Sequence, residues 1–186
     1  MSLRPFDYLR CLRGSRGFGV HSPFAFEFIL NVLRDRHPFY AYDTIRKLRN
    51  QTPRGLRPPQ WQARLMFRIS SRLDYRHITV LGDIDPVLTR TLTLPSSRMS
   101  ITANPSGHQA LYVIADNYTS QPPVLARLIT DIVSDEGSAI VMGHIEAIRM
   151  LTTLLPHGMV FTDNRYLSVI VGYRHLPVKQ YLTRFS

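Results

Sequence analysis

The stretch that decides the fold is His77–Pro86, with the sequence HITVLGDIDP. Its first half is a short, β-branched apolar run bounded by Gly82, which predicts a buried parallel strand. A glycine at the end of such a strand lies where an α/β fold turns into a helix and binds a nucleotide. The residues that follow, DIDP, contain no further glycine. The position therefore predicts a ligand site, whereas the residues found there are poorly suited to one.

Alternating strand and helix patterns continue from this stretch towards the C-terminus. The predicted strands are 77–82, 99–102, 110–115, 138–142, 159–162 and 167–173. The predicted helices are 85–94, 122–133 and 145–155. A short turn joins the last two strands, which favours an antiparallel pair. The pattern as a whole predicts a mostly parallel, three-layer α/β sheet closed by an antiparallel hairpin.

Residues 1–72 predict a helical extension ahead of an α/β domain that spans residues 73–186. Apolar residues at helical spacing predict its helices at 5–13, 22–36, 42–50 and 59–73. The extension holds 14 Lys plus Arg against 4 Asp plus Glu, whereas residues 73–186 hold 9 of each. The net charge of +10 therefore lies entirely in the extension. Nearly all of it is arginine, whose planar guanidinium suits phosphate and carboxylate partners.

Five arginines of the extension are the candidates for a binding surface. Arg64, Arg68 and Arg72 recur every four residues, which predicts that they share one exposed helix face. Arg54 and Arg57, in the preceding loop, extend that face. Such a surface could attract RNA, DNA or an acidic protein. It could equally be a solvated face, because aromatic residues do not alternate with the arginines as they do in RNA-binding platforms.

Composition argues against several classes of protein. A hydrophobic content of 44% argues against disorder, and no apolar run approaches the ~20 residues that a membrane span needs. A single cysteine, Cys11, and no secretion signal favour the cytoplasm. The seven histidines include no pair at the spacing of a helix-borne metal site, so no metal is expected. An exposed last strand could pair with a second copy of the chain and form a homodimer.

Several stretches resemble class I S-adenosylmethionine-dependent methyltransferases, in a bacterial branch that begins with a helical extension. They are residues 19–49, 64–70, 78–82, 111–117, 138–145 and 169–185. The most specific are the N-terminal block, which begins GVHSPFAFEFILNVLRDR, and the tail VIVGYRHLPVKQYLTRF. The resemblance implies a Rossmann-like methyltransferase fold and S-adenosylmethionine as the cofactor.

The resemblance also implies where a cofactor would bind. The family's cofactor positions fall on Gly82, Asp83, Asp85, Asn104 and Asp116. The sequence departs from the family pattern with Val80 for an acidic residue, Pro86 for the second glycine, Asn104 for the ribose-binding carboxylate and Gly143-His144 for an acidic pair. About six residues separate Asn104 from the next predicted strand, too few for the helix and strand that the family has there. Asp116 could also be an ordinary turn residue.

Three functions follow from these observations. Because the departures concentrate on one site, we favour a degenerate methyltransferase-like protein that lacks efficient cofactor binding and acts through interaction with a partner. The first alternative is an active methyltransferase with an atypical pocket and an unknown acceptor. The second alternative is a basic nucleic-acid-binding protein, whose affinity would fall steeply with salt.

Overall fold

The computed structural model describes residues 22–102, 109–163 and 167–185. The α-helices in these ranges are α1 (Pro23–Phe28), α2 (Ala41–Gln51), α3 (Gln60–Leu73), α4 (Pro86–Leu92), α5 (Pro122–Ser134) and α6 (Ile145–Leu154). The strands are β1 (His77–Leu81), β2 (Ser100–Thr102), β3 (Ala110–Ile114), β4 (Ser138–Met142), β5 (Met159–Thr162), β6 (Leu167–Val171) and β7 (Lys179–Leu182). A π-helical turn, Ile29–Leu33, continues α1, and a 3₁₀ turn, Arg54–Leu56, precedes α3.

The strands form one mixed sheet in the order β2-β1-β3-β4-β6-β5-β7. Strand β1 pairs in parallel with β2 and β3, β3 pairs in parallel with β4, and β5 pairs in parallel with β7. Strand β6 lies between β4 and β5 and runs antiparallel to both. The predicted α/β class, the mostly parallel sheet and the antiparallel pair are therefore confirmed.

Helices cover both faces of the sheet, because alternate side chains of each strand point to opposite faces. One face packs against α1 to α4 through residues that include Ile78, Leu111, Val113, Ile140 and Phe161. The other face packs against α5 and α6 through Ile114, Ala139, Val141, Val160 and Ile170. This arrangement buries the continuous apolar strands on both sides, as parallel sheets require.

Helices α1 to α3 share a hydrophobic core with the sheet. Helix α1 begins as predicted, with Pro23 at its first position and Ser22 capping it by accepting a hydrogen bond from the Ala25 amide. The Phe28 ring then lies 5.0 Å from the Phe161 ring of β5, measured between centroids. The helix predicted at 5–13 lies outside the described residues. The division at residue 72 stays a prediction, although the described residues on its two sides pack together.

A buried tyrosine joins the end of α3 to the start of β4, at the amino end of that strand. Tyr75, which follows α3, lies 2.9 Å from the Ser138 hydroxyl at the start of β4 and donates to the Glu136 carbonyl, also at 2.9 Å. Burial raises the pKa of the Tyr75 hydroxyl to about 12. The phenol is therefore neutral throughout the physiological range and serves as a structural hydrogen-bonding group.

The last predicted strand, 167–173, does not lie at the edge of the sheet. Strand β6 is paired on both sides, and β7 pairs with the outer side of β5. The expectation that this strand is exposed is wrong, whereas the homodimer stays a prediction. The sequence gives no sign of β7 because Lys179 and Gln180 are exposed and the next two residues are only half-buried, so no apolar run marks it.

Candidate functional site

Three parallel strands end side by side at the carboxyl edge of the sheet, where the sequence places the cofactor site. The register pairs Leu81 of β1 with Ile114 of β3, and β4 pairs with the other side of β3. The segments that follow these strands therefore meet at one edge. They begin with Gly82 after β1, Ala115 after β3 and Gly143 after β4.

Gly82 is required by its backbone conformation and by a close neighbour. Its φ is +82°, and a Cβ atom there would lie 2.7 Å from the Asn117 side-chain oxygen and 2.9 Å from the Ala115 Cβ. Any other residue would be strained in this left-handed conformation and would also clash. The space beside Gly82 is thus filled by the protein's own β3–α5 loop.

Asp83 and Asn117 hold the two loops together by two hydrogen bonds. The Asp83 amide donates to the Asn117 Oδ1 at 3.0 Å, and the Asn117 Nδ2 donates to the Asp83 Oδ2 at 2.9 Å. A carboxamide suits this role because it is both donor and acceptor. Both residues are exposed, so water competes for each bond. We call this pair the Asp83–Asn117 clasp.

Asp85 caps α4 in this structure. Its carboxylate accepts a hydrogen bond from the Val87 amide at 2.7 Å, and Pro86 occupies the first helical position. An aspartate before an N1 proline is a strong helix start, since the proline has no amide to satisfy. The Asp85 carboxylate therefore satisfies the helix backbone, and Pro86 offers no N–H to a ligand.

The remaining cofactor candidates are less constrained. Asp116 is exposed at the end of β3, and a Cβ atom on Gly143, whose φ is +70°, would lie 3.1 Å from the Asp116 Cβ. The neighbouring His144 has its Nε2 3.0 Å from the Ala115 carbonyl oxygen. A histidine held to the backbone thus lies where the resemblance to methyltransferases predicts an acidic pair. Asn104 lies outside the described residues.

The five arginines predicted to form a surface have different environments. Arg68 is only 4% exposed and donates to the Val32 carbonyl at 2.6 Å, the Tyr42 hydroxyl at 3.1 Å and the Leu33 carbonyl at 3.3 Å. The prediction that Arg68 lies on an exposed face is wrong. Its side of α3 is covered by the π-helical turn and α2, so the helix is buried on more than one side.

The other four arginines differ in exposure and in their partners. The Arg64 guanidinium lies 4.5 Å from the centre of the Tyr42 ring. Arg57 is half-buried and donates to the Thr52 carbonyl at 2.6 Å and the Asn50 carbonyl at 3.1 Å, which satisfies the end of α2. Arg54 and Arg72 are exposed.

A cavity of about 400 Å³ lies between α2, α3 and the residues that follow the π-helical turn. Its lining consists of Asp35, Arg36, Tyr42, Gln60, Trp61, Arg64 and Arg68. Sequence reasoning named two of its arginines but missed the aromatic and acidic members. The only sequence signal was Trp61, which the helical pattern predicts to be buried and which is half-buried at the cavity wall.

The described residues contain no group of three or more His, Cys, Asp or Glu side chains placed to hold a metal ion. Within those same ranges, every helix is too short or too polar to cross a membrane. The chain matches no protein-family model, no curated protein and no solved structure.

Proposed function

We propose that this chain is a methyltransferase-like α/β protein whose cofactor edge is closed, and that it acts by binding a partner rather than by transferring a methyl group. The observation that carries this proposal is the Asp83–Asn117 clasp. It joins the two loops between which a cofactor would have to enter, and it places a side chain beside the glycine that a cofactor would need.

S-adenosylmethionine does not fit the residues found here. A glycine-rich turn binds such a ligand because backbone without Cβ atoms can approach it and amide groups at a helix start can donate to it. In this chain the Asp83 amide already donates to Asn117, and Pro86 has no amide hydrogen. The Asp85 carboxylate is engaged as the cap of α4.

The free energy that holds the clasp closed is the energy that a bound cofactor would have to supply. A typical intramolecular hydrogen bond contributes about 0.5–1.5 kcal/mol, and exposure to water puts both bonds of the clasp at the lower end, so opening both would cost about 1 kcal/mol. A cofactor would have to supply that energy and also do without the contacts that Pro86 cannot make. Asp116, the exposed candidate at this edge, brings only one carboxylate to replace them.

The charge of the N-terminal segment favours an acidic partner. All of the net charge of +10 belongs to residues 1–72, and most of that charge is arginine. Arg54 and Arg72 are exposed, whereas Arg68 is buried and is bonded to the protein's own backbone. Positive charge of this kind attracts an acidic protein surface and speeds its association.

Calorimetric titration with S-adenosylmethionine and S-adenosylhomocysteine tests the proposal, with thermal unfolding measured beside it. A ligand at ~100 times its Kd raises the free energy of unfolding by about 2.7 kcal/mol, which shifts Tm by several degrees. We expect no heat and no shift at millimolar ligand. Micromolar binding would instead establish an active cofactor site and overturn the proposal.

Asn117→Gly extends this experiment, because it removes both the clasp and the side chain beside Gly82. Ser120→Gly is the matched control, an exposed residue in the same loop outside the clasp. Binding gained by Asn117→Gly alone would identify the clasp as what closes the edge. Equal behaviour of the two variants would assign the closure to Pro86 and the other departures.

A further inference from the structure

We propose that the cavity lined by Arg36, Trp61 and Arg64 binds a phosphate monoester, with the phosphate against the two arginines and the organic part against the tryptophan. The cavity measures about 400 Å³. That volume exceeds what a lone ion needs and lies in the range of small-ligand pockets, about 300–1,000 Å³. None of its lining residues belongs to the Asp83–Asn117 clasp, so this inference does not rest on the function proposed above.

The charges that line the cavity favour an anion. Three arginines line it, namely Arg36, Arg64 and Arg68, against the single carboxylate of Asp35. That carboxylate accepts from the His37 amide at 2.8 Å and lies 2.6 Å from the His37 Nδ1, so its hydrogen-bonding capacity is partly used outside the cavity. The lining therefore carries an excess of positive charge around a space large enough for a ligand.

Arg64 is held in place at the cavity wall by an aromatic ring. Its guanidinium lies over the Tyr42 ring, and its Nε is buried without a hydrogen-bond acceptor. Tyr42 is fixed in turn, because its hydroxyl accepts from Arg68 at 3.1 Å and its ring packs edge-on against Phe39 and Phe67. The terminal guanidinium nitrogens of Arg64 are the donors that a ligand oxygen in the cavity could reach. Because the side chain is already ordered, little entropy would be lost on binding.

A phosphate matches this arrangement better than other anions. Guanidinium groups donate pairs of hydrogen bonds to phosphate oxygens, and two arginines can approach one tetrahedral group from different sides. The start of α3 adds to the positive electrostatic potential of the cavity, because Gln60 and Trp61 of its first turn line it. That turn carries neither an acidic residue nor a side-chain cap that would offset the helix dipole. The indole of Trp61 provides an apolar wall for the remainder of the ligand.

The position of the cavity in the fold agrees with a ligand site. The Gln62 side-chain nitrogen lies 3.7 Å from the Met142 sulfur, which places the start of α3 beside the carboxyl end of β4. Ligands of α/β proteins bind at this end of the sheet. The cavity thus lies at the favoured end of the molecule but in the helical layer.

Tryptophan fluorescence tests the inference directly, because Trp61 is the single tryptophan of the chain. The probes are glucose 6-phosphate, glucose and inorganic phosphate, none of which absorbs in the tryptophan band. We expect a saturable change with glucose 6-phosphate, weaker binding of inorganic phosphate and none of glucose. Calorimetry with AMP and with glucose 6-phosphate shows whether a nucleotide or a sugar phosphate binds more tightly. Adenosine is the phosphate-free control for AMP.

Two charge-removing variants and one control complete the test. Arg64→Gln should weaken ester binding by about tenfold or more, and Arg36→Gln, at an exposed and therefore tolerant position, should also weaken it. Arg127→Gln on α5 makes the same charge change in the opposite helical layer and should leave binding unchanged.

Three results would overturn the inference. The first is no binding of any phosphate ester at millimolar concentration by the folded wild-type protein. The second is an equal loss in Arg127→Gln and in the cavity variants, which would reduce the effect to overall charge. The third is equal binding of glucose and glucose 6-phosphate, which would leave the arginines without a role.

Discussion

The carboxyl edge of the sheet and the cavity beside α3 satisfy their polar groups in opposite ways. At the edge, Asp83 and Asn117 bond to each other, and Asp85 bonds to its own helix. In the cavity, the Arg64 Nε is buried with no acceptor. Ligands of α/β folds usually bind at the carboxyl edge of the sheet. The cavity lining offers arginine side chains to a ligand, whereas the polar groups named at the edge already bond to the protein.

The largest change in the free energy of unfolding is expected at Arg68, which tests whether the cavity wall is as ordered as the carboxyl edge. Replacing Arg68 by alanine leaves the Val32 and Leu33 carbonyls without their donor and empties a buried volume. We expect a loss of about 3 kcal/mol or more in the free energy of unfolding, measured by urea denaturation. The wall that orders Tyr42 and Arg64 would be lost with it.

Arg72→Ala is the control for that experiment, since Arg72 lies one helical turn further along α3 and is exposed. Its effect should stay within about 0.5 kcal/mol. Similar stabilities of the two variants would show that Arg68 does not anchor the helical layer, contrary to its burial and three hydrogen bonds.

A smaller effect is expected at Gly82, and it tests the closure of the carboxyl edge. Gly82→Ala forces a side chain into a left-handed conformation and against Asn117 and Ala115. We expect a loss of about 2 kcal/mol in the free energy of unfolding. Gly55→Ala is the matched control, because no atom lies within 4 Å of its added Cβ. A Gly82→Ala protein as stable as Gly55→Ala would mean that the edge is open.

The smallest effect is the coupling within the clasp. Asp83→Ala, Asn117→Ala and the double variant form a cycle whose interaction energy we expect to be about 0.5–1 kcal/mol, measured by denaturation. The value is small because both residues are exposed to water. Asp83→Ala combined with Ser120→Gly should be additive. The cycle reports the Asn117 Nδ2–Asp83 Oδ2 bond alone, because Asp83→Ala keeps the amide that donates to Asn117. A coupling of zero would mean that this side-chain bond is not formed in solution.

Local sequence signals predict most of the fold. The apolar run before Gly82 predicts β1, and Ser22-Pro23 predicts the start of α1, because strand burial and helix capping depend on adjacent residues. The exposed strand β7 has no such signal and is found only through its pairing with β5.

The candidate site is less predictable, because its contacts join distant parts of the chain. The sequence places Gly82 at the edge, but not Asn117, which reaches it only through the β1–β3 register. Spacing of four predicts one face for Arg64, Arg68 and Arg72. Periodicity along α3 cannot show that the π-helical turn covers Arg68.

The placement of β6 has a consequence for the order in which the chain assembles during synthesis. Both strands that pair with β5 follow it in the sequence, since β6 lies on one side of β5 and β7 on the other. Phe161 of β5 and Phe185 meet in the same buried cluster. While residues 167–185 remain in the ribosome, β4 keeps an open edge and β5 has no partner. Such unpaired edges invite association between chains, so the nascent protein depends on residues 167–185 to close its own sheet.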